Sequence, residues 1–403
     1  MAEILQPVKL VHVTTVPETL FFLVGQVARA KAMGMEIHAV SSPGEMLNKF
    51  GEQESVQVHA VDMPRRITPI NDLRAVWAIR RVLRSIQPHV VHAHTPKGGL
   101  LAIIAAWLEN VPIRIYHIHG LPLTTATGYK RVILRNTERT SCGLATRVIS
   151  VSNSIRDVVL NEGLCPRDSI TVLRGGSING IDADEKFNPK NQGQHVRQET
   201  RAKYGIPDSA TVIGFIGRIV RDKGLIELTQ AWRWLREQHK DLHMLIIGPW
   251  EPQDPVPVDV EQTLRNDPRI HLVGMDWNTP PLYAAMDIVV LPTYREGFPT
   301  VPLEAAAMEL PIVATRVPGC IDAVQDGITG ILVPAKDADA LCTAIDVYIS
   351  NPDLRAAHGH AARERVLRDY KREDIWDAVC NEYARLLDEA GIPLHFDTAN
   401  TER

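Results

Sequence analysis

Short apolar runs alternate with longer amphipathic stretches along the first half of the chain. Runs of four to eight aliphatic and β-branched residues, separated by helical stretches, are typical of parallel strands joined by helices. This half therefore predicts a parallel sheet with helices on both faces. The strand-like runs are KLVHVTT (9–15), MEIHAVSS (35–42), VQVHAVDM (56–63), HVVHAH (89–94), RIYHIHG (114–120), RVISVS (147–152) and ITVLRGG (170–176).

The same alternation restarts after a polar segment that contains Gly and Pro, from Asp182 to about Ser209, which we interpret as an interdomain linker. We expect a domain over residues 1–188, a second over 189–372, and a final helix in 373–403 that packs back toward the first domain. The fold class predicted is α/β, with two doubly wound, Rossmann-like domains facing each other across a cleft. The second series is TVIGFIG (211–217), HMLIIG (243–248), IHLVG (270–274), IVVLPT (288–293), PIVATRV (311–317) and GILVP (330–334).

Ligands of open α/β sheets bind at the carboxyl ends of the strands, and TYREGFPTVPLEAAAMELPIVAT (293–315) follows such a strand. Two carboxylates, Glu296 and Glu304, flank its Gly-Phe-Pro-Thr turn. Thr300 and Pro302 suit the start of a helix, whose first backbone amides favour a phosphate. Carboxylates only accept hydrogen bonds, so they suit the hydroxyls of a sugar or a ribose. The alternative is that both are solvated surface charges.

GRIVRDKG (217–224) follows the first strand of the second series and supplies Arg218 and Lys223. A guanidinium and an ammonium together can neutralise a diphosphate leaving group, although alone they would be ordinary surface residues. The chain contains no G-x-x-x-x-G-K-[ST] motif, and no G-x-G-x-x-G follows the first strand of either domain. A nicotinamide-dependent dehydrogenase is therefore disfavoured.

Two strands of the first series end in His-x-His, within VVHAHTPKGG (90–99) and IYHIHGLP (115–122). The two-residue period places both imidazoles of each pair on one face of the sheet. Four such histidines could bind zinc, or they could be buried core residues. Because no carboxylate or cysteine accompanies them, we predict no metal site.

The E-G-F-x5-E pattern resembles that of retaining glycosyltransferases with the GT-B fold. In that family the helix glutamate, here Glu304, holds the ribose, and Glu296 contacts the donor sugar. The G-R-x4-K-G segment (217–224) contacts the diphosphate, and His119 reaches the sugar. The resemblance assigns the distal phosphate to the turn residues Gly297, Phe298, Pro299, Thr300 and Val301, and places Gly217 beside Arg218 and Lys223 in the donor site.

Within that family, HTPKGG (94–99) and GSINGID (176–182) resemble bacterial enzymes that extend undecaprenyl-diphosphate-linked sugars. The Gly-Gly loop that many members carry after the first strand is absent from VTTVPETLFFLVG (13–25). The apolar face at Leu20–Val24 suits a membrane surface or a buried core equally. Whether Asn179 contacts ligand or only its turn is left open. Because the Gly-Gly loop is absent, acceptor binding cannot simply be copied from the family. We expect the acceptor side to involve Thr15, His94, Lys97, Gly98 and Asn179, with Lys97 and the start of the following helix receiving a lipid diphosphate.

Charge is distributed unevenly along this chain of 403 residues, whose net charge is only −4. Residues 65–147 contain 13 basic and three acidic side chains, which suits anionic lipid headgroups or a lipid diphosphate but could equally be solvated helix faces. Nucleic acid is disfavoured because no basic motif interleaved with aromatic residues occurs. No apolar run approaches the ~20 residues that span a bilayer, so we expect a cytoplasmic protein, peripheral at the membrane face.

The sequence thus predicts a metal-independent, retaining glycosyltransferase without a cofactor. Its donor would be a nucleotide sugar, with UDP favoured, and it would transfer a hexose or N-acetylhexosamine. Its acceptor would be a lipid-diphosphate-linked glycan for surface polysaccharide. The alternatives are a nucleotide-sugar epimerase of the same fold and a non-catalytic sugar-nucleotide binding protein.

Overall fold

The structure is a computed structural model that describes residues 7–252 and 254–394. Contacts between residues divide the chain into two compact units. Unit 1 contains the residues up to Asn179 and those from Glu373 onward, and unit 2 is Gly180–Arg372. The sequence-based domain boundary at residue 188 thus lies inside unit 2, and the last helix counts with unit 1.

Unit 1 is built on a parallel sheet of seven strands within the described residues, in the order β3-β2-β1-β4-β5-β6-β7. Strand order reverses between β1 and β4, and the carboxyl ends of these two strands form the switch point where open α/β sheets bind ligands. The strands are β1 (Val8–Val13), β2 (Met35–Ser41), β3 (Gln57–Ala60), β4 (Val90–His94), β5 (Ile113–Ile118), β6 (Arg147–Ser150) and β7 (Ile170–Thr171).

Helices cover both faces of this sheet and form two apolar layers. One layer contains buried residues of α3 to α6, and the other contains residues of α2, of α15 and of the 3-10 helix Pro17–Leu23. Leu20 and Leu23 are buried in the second layer, which favours the core alternative for the apolar run after β1. The helices are α1 (Gln26–Ala32), α2 (Glu45–Glu54), α3 (Pro69–Ile86), α4 (Pro96–Leu108), α5 (Gly128–Leu144), α6 (Asn153–Asn161) and α15 (Arg372–Glu389).

Unit 2 has a parallel sheet of six strands, counted over its described residues, in the order β10-β9-β8-β11-β12-β13. The strands are β8 (Thr211–Ile216), β9 (Leu242–Ile247), β10 (Ile270–Gly274), β11 (Ile288–Leu291), β12 (Ile312–Thr315) and β13 (Gly330–Val333). The helices are α7 (Pro189–Lys203), α8 (Leu225–Gln238), α9 (Val258–Asn266), α10 (Pro280–Ala284), α11 (Val301–Ala307), α12 (Cys320–Ala323), α13 (Ala338–Ser350) and α14 (Pro352–Asp369).

The interpretation of the segment from Asp182 to about Ser209 as a linker is wrong, because the helix α7 occupies much of that segment. The sequence does not show this helix as amphipathic, because the side chain that α7 buries completely is the charged Arg201 and not an apolar residue. Arg201 is 0% exposed and binds Asp287 and the carbonyl oxygens of Ala285, Asp208 and Ala210. A buried arginine is tolerated only when its donors are bound in this way, and a hydrophobicity pattern cannot reveal it.

In the part of the chain that the structure describes, no helix has both the length and the apolar character needed to span a bilayer. All five cysteines are free, and only Cys342 is not fully buried.

Candidate functional site

Loops that follow adjacent strands of the second sheet approach one another closely at its carboxyl edge. Gly224 has φ +72°, and a Cβ there would lie 1.8 Å from the carbonyl oxygen of Pro292. Gly319 has φ +82°, and a Cβ there would lie 2.4 Å from the carbonyl oxygen of Gly297. Both positions exclude any side chain. The loops after β8, β11 and β12 are therefore held together by backbone contact.

The central side-chain contact of this edge is an ion pair between Lys223 and Glu296. The side chains are only 19% and 14% exposed, so the contact is screened far less than a surface pair. Asp222 fixes the geometry, since its carbonyl oxygen accepts from the Tyr294 N–H at 2.8 Å and its carboxylate binds Arg295 at 2.7 Å. Two strand-end loops thus bring together two residues that are 73 positions apart.

Glu304 lies on α11, where its Oε2 accepts a hydrogen bond from the Tyr283 hydroxyl at 2.7 Å. Burial raises the pKa of Glu304, and the hydrogen bond from Tyr283 opposes this. The helix begins as predicted near Pro302 with Thr300 at its N-cap position, but the Thr300 side chain makes no capping hydrogen bond. The Phe298 side chain is buried.

Arg218 and Gly217 follow β8 but are not part of the Lys223–Glu296 contact. Arg218 is 47% exposed and pairs with Glu251 at 3.6 Å. The N–H of Gly217 donates to the carbonyl oxygen of Ile247 at 2.9 Å and so extends the sheet. Glu251 was missed in the sequence, although it follows the strand run HMLIIG, where ligand contacts were expected. Tyr283 was also missed, since nothing in the sequence separates it from a core residue.

Unit 1 places five histidines side by side across the ends of three adjacent strands, four of them buried and His119 partly buried. The strand register pairs His12 with His92 and His94 with His117. The ring centroids of His92 and His94 are 4.2 Å apart and those of His117 and His119 are 4.5 Å apart, which confirms that each His-x-His pair shares a face of the sheet. The ring nitrogens of His12 and His94 are 3.1 Å apart, those of His94 and His119 are 2.9 Å apart, and those of His92 and His117 are 3.2 Å apart. We call His12, His92, His94, His117 and His119 the histidine cluster.

The histidine cluster also has the spacing of a possible metal site. His12, His92 and His94 place ring nitrogens within 4.8 Å of one another, as do His94, His117 and His119. Among the described residues, the buried Nε2 of His117 has no hydrogen-bond partner. No anionic side chain belongs to either group, so a bound cation would be uncompensated in a buried setting. The absence of a metal therefore stays a prediction.

Thr15 and Gly98, predicted on the acceptor side, meet at the switch point between β1 and β4. The Thr15 hydroxyl oxygen accepts from the Gly98 N–H at 2.8 Å and lies 2.9 Å from the Thr95 hydroxyl. Thr95 has φ +68°, a conformation that costs free energy in an L-residue and persists only when its surroundings hold it. The structure thus brings the two predicted residues into direct contact and places Thr95, whose backbone is strained, beside them.

Two other predicted acceptor residues bind within the protein instead. The Lys97 ammonium binds Asp72 and the carbonyl oxygens of Pro64 and Arg66, and so anchors the segment before α3. Asn179 accepts hydrogen bonds from Gln26 at 2.9 Å and Trp376 at 2.6 Å, which supports the turn interpretation of its role. His94 is 1% exposed, so an acceptor would not reach it without rearrangement.

The histidine cluster predicts acid-sensitive folding. Burial lowers the pKa of His12 and His119 to about 3 and lowers the pKa of His92, His94 and His117 well below the usual value. The histidines of the unfolded chain take up protons below about pH 6.5, whereas those of the folded chain stay neutral. Their contribution to the free energy of unfolding is therefore fully present above pH 6.5 and is lost as the pH falls. Each neutral histidine contributes about 1.4 kcal/mol per pH unit. Burial raises the pKa of Glu138 to about 7, so this carboxyl group stabilises the folded state as the pH falls. It is a single group, and the effect of the five histidines outweighs it.

The melting temperature, followed from pH 7.5 to 5.5, checks this prediction and should fall steeply below pH 6.5. His360→Gln is the control, because that side chain is 66% exposed and its loss should leave the profile unchanged. A melting temperature that is flat over this range would contradict the neutral state of the histidine cluster.

Comparison with known proteins gives the same architecture. A family model for a glycosyl transferase 4-like domain matches residues 9–176, and one for glycosyl transferases group 1 matches residues 196–365. The Anabaena protein HepE in complex with UDP has a TM-score of 0.77 at 17% identity, covering 94% of this chain and 100% of that one. A glycosyltransferase from Rickettsia africae has a TM-score of 0.78 at 19% identity, with 95% and 99% covered.

Two relatives in sequence are glycosyltransferases. The capsular polysaccharide biosynthesis glycosyltransferase CapM of Staphylococcus aureus is 32% identical over 383 residues, which is 95% of this chain and 98% of CapM. An Escherichia coli UDP-Gal:alpha-D-GlcNAc-diphosphoundecaprenol alpha-1,3-galactosyltransferase is 25% identical over 284 residues, covering 70% and 71% of the two chains. These matches and the two Rossmann-like units confirm the predicted fold class, and the chain belongs to the group 1 family of glycosyltransferases with the GT-B fold.

Proposed function

We propose that this glycosyltransferase moves a sugar from UDP to a hydroxyl of a lipid-diphosphate-linked glycan, with retention of the anomeric configuration. The observation that carries the proposal is the partly buried Lys223–Glu296 pair at the carboxyl edge of the second sheet. Support for the donor comes from HepE, which binds UDP and UDP-glucose. Support for the acceptor comes from the relatives in capsule synthesis and diphosphoundecaprenol glycosylation.

Binding of the donor would separate the Lys223–Glu296 pair and make both side chains available to the donor. A diphosphate carries more negative charge than one carboxylate, so it competes for the Lys223 ammonium. The carboxylate of Glu296 then becomes available to accept hydroxyls of the donor sugar. Lys223 stabilises the charge that develops on the departing UDP, and Arg218, which is half exposed beside Glu251, adds a second cation.

Glu304 would hold the ribose of the nucleotide. Its carboxylate is oriented by the hydroxyls of Tyr283 and Thr300, and the remaining lone pairs of its oxygens suit a vicinal diol. Because burial raises the pKa of Glu304, binding of a diol also supplies the hydrogen bonds that favour its ionised form.

Neither a metal nor a cofactor is part of the proposal, since Lys223 and Arg218 supply the positive charge that a divalent cation supplies elsewhere.

We place the enzyme at the cytoplasmic face of the membrane, because a polyprenyl acceptor is held in the bilayer. His119 would orient the donor sugar as a neutral imidazole. We do not expect nucleic acid to be a ligand.

The direct test incubates the protein with a panel of UDP-sugars and a lipid-diphosphate-linked N-acetylglucosamine, with and without EDTA. We expect a disaccharide whose new anomeric centre, read by NMR, keeps the donor configuration, and formation unchanged by EDTA. Incubation with donor alone separates the rivals. An epimerase would convert the donor without acceptor, and a non-catalytic binder would change neither compound.

The ion pair generates a variant prediction with a matched control. Lys223→Met and Glu296→Gln should each lower kcat by about 100-fold or more, as expected for loss of a group that stabilises developing charge or orients the sugar. The control is the exposed pair Lys240–Glu237 of the same unit, whose side chains are 76% and 65% exposed. Lys240→Met and Glu237→Gln should leave kcat unchanged. Full activity in Lys223→Met would refute the assignment.

A further inference from the structure

The helices on one face of the unit 1 sheet leave large apolar side chains uncovered. Eight of the sixteen large apolar residues that are exposed in the described chain lie between residues 67 and 132. They sit on or beside α3, α4 and α5, three neighbouring helices that pack against the same apolar layer. These residues, which we call the apolar patch, are Ile67, Ile70, Leu73, Trp77, Trp107, Leu108, Tyr129 and Val132, and they are 39–79% exposed.

Helix α3 carries the densest part of the apolar patch. Ile70, Leu73 and Trp77 follow one another at intervals of three and four residues, so they share one face of the helix. The opposite face, which includes Ile79 and Leu83, is buried in the sheet-facing layer. The helix is therefore apolar on two sides, whereas a surface helix of a soluble domain normally has one apolar stripe.

The acidic side chains of this region are all neutralised within the protein. Asp72 pairs with Lys97 at 2.6 Å, and Glu109 pairs with Arg80 at 2.7 Å. The third, Glu138, is buried beside the Tyr116 hydroxyl, and burial raises its pKa to about 7. No acid of residues 65–147 is thus left to offset the surface charge.

Several basic side chains of the same region remain exposed and make no ion pair with an acid of the described residues. They alternate with the apolar patch along the helices, since Arg74 and Arg81 flank Trp77 on α3, and Lys130 follows Tyr129 on α5. These residues, which we call the basic rim, are Arg65, Arg66, Arg74, Arg81, Lys130 and Arg139.

A lipid bilayer with anionic headgroups matches this combination. Apolar and aromatic side chains enter the boundary between headgroups and acyl chains, and arginine and lysine bind the phosphates around them. Trp and Tyr are the residues enriched at that depth, and Trp77 lies under the guanidinium of Arg80 at 4.5 Å from its ring centroid. A second copy of the chain fits less well, because the basic rim would face itself in a two-fold dimer.

We infer that the apolar patch and basic rim of α3, α4 and α5 form the surface that holds this enzyme on an anionic bilayer. The inference extends the proposed function, whose lipid-linked acceptor has to be met at a membrane. It also replaces the earlier candidate at Leu20–Val24, where Leu20 and Leu23 are buried.

Cosedimentation with vesicles tests the inference. The intact chain should bind vesicles that contain phosphatidylglycerol at least about tenfold more tightly than vesicles of phosphatidylcholine alone, with binding weakened by salt. The triple variant Ile70→Ser, Leu73→Ser, Trp77→Ser should lose about 100-fold in partitioning, since it removes the densest part of the inserted apolar area. The matched control, Val258→Ser, Met275→Ser, Trp277→Ser, changes three exposed apolar residues of unit 2 and should bind as the parent does.

The outcome does not depend on whether the proposed reaction is correct. Loss of binding in the unit 2 control but not in the α3 variant would overturn the inference, as would equal binding to neutral and anionic vesicles. Dimerisation that the α3 variant abolishes, without vesicle binding by the parent, would assign the surface to a second copy. If the reaction is also correct, the α3 variant should keep its rate on a water-soluble acceptor and lose rate only on acceptor in vesicles.

Discussion

The close backbone approach of loops at the carboxyl edge of the second sheet is the constraint on which the proposed chemistry depends. Gly224 and Gly319 lie where any Cβ would collide with the carbonyl oxygen of a neighbouring loop. Only with these loops in contact can Lys223 reach Glu296 across 73 positions of sequence. An ammonium and a carboxylate are thereby held together and largely out of water, where interactions between charged groups are screened least.

The two units use strand ends in different ways. In unit 2 the loops at the strand ends carry charged groups that pair with one another, as Lys223 does with Glu296 and Arg218 with Glu251. In unit 1 they carry the histidine cluster, which lies among apolar residues and stays neutral because burial lowers the pKa of each member. The cluster connects the ends of β1, β4 and β5 by hydrogen bonds and reaches α15 through Tyr383, whose hydroxyl lies 2.6 Å from His92. Unit 1 therefore includes the C-terminal helix in its core, although that helix is distant in sequence.

Strand positions were predictable because a buried parallel strand is a continuous apolar run, and each of the thirteen runs identified in the sequence overlaps a strand of the structure. The α7 helix was not predictable, since its buried anchor is Arg201, which sequence patterns count as a surface residue. The Lys223 and Glu296 pair was expected in one site because both follow strands of one sheet. The contacts that Lys97 and Asn179 make within the protein could not be predicted. They depend on Asp72 and Trp376, which only the fold brings near these residues.

Hydrogen exchange in the presence of UDP tests directly whether unit 2 holds the nucleotide, because backbone amides report where a ligand is bound. Saturating UDP should slow exchange most strongly in residues 217–224 and 293–304, with smaller effects in the remainder of unit 2. Bound UDP that leaves both segments unprotected, or that protects only segments of unit 1, would contradict a donor site built on the Lys223–Glu296 pair.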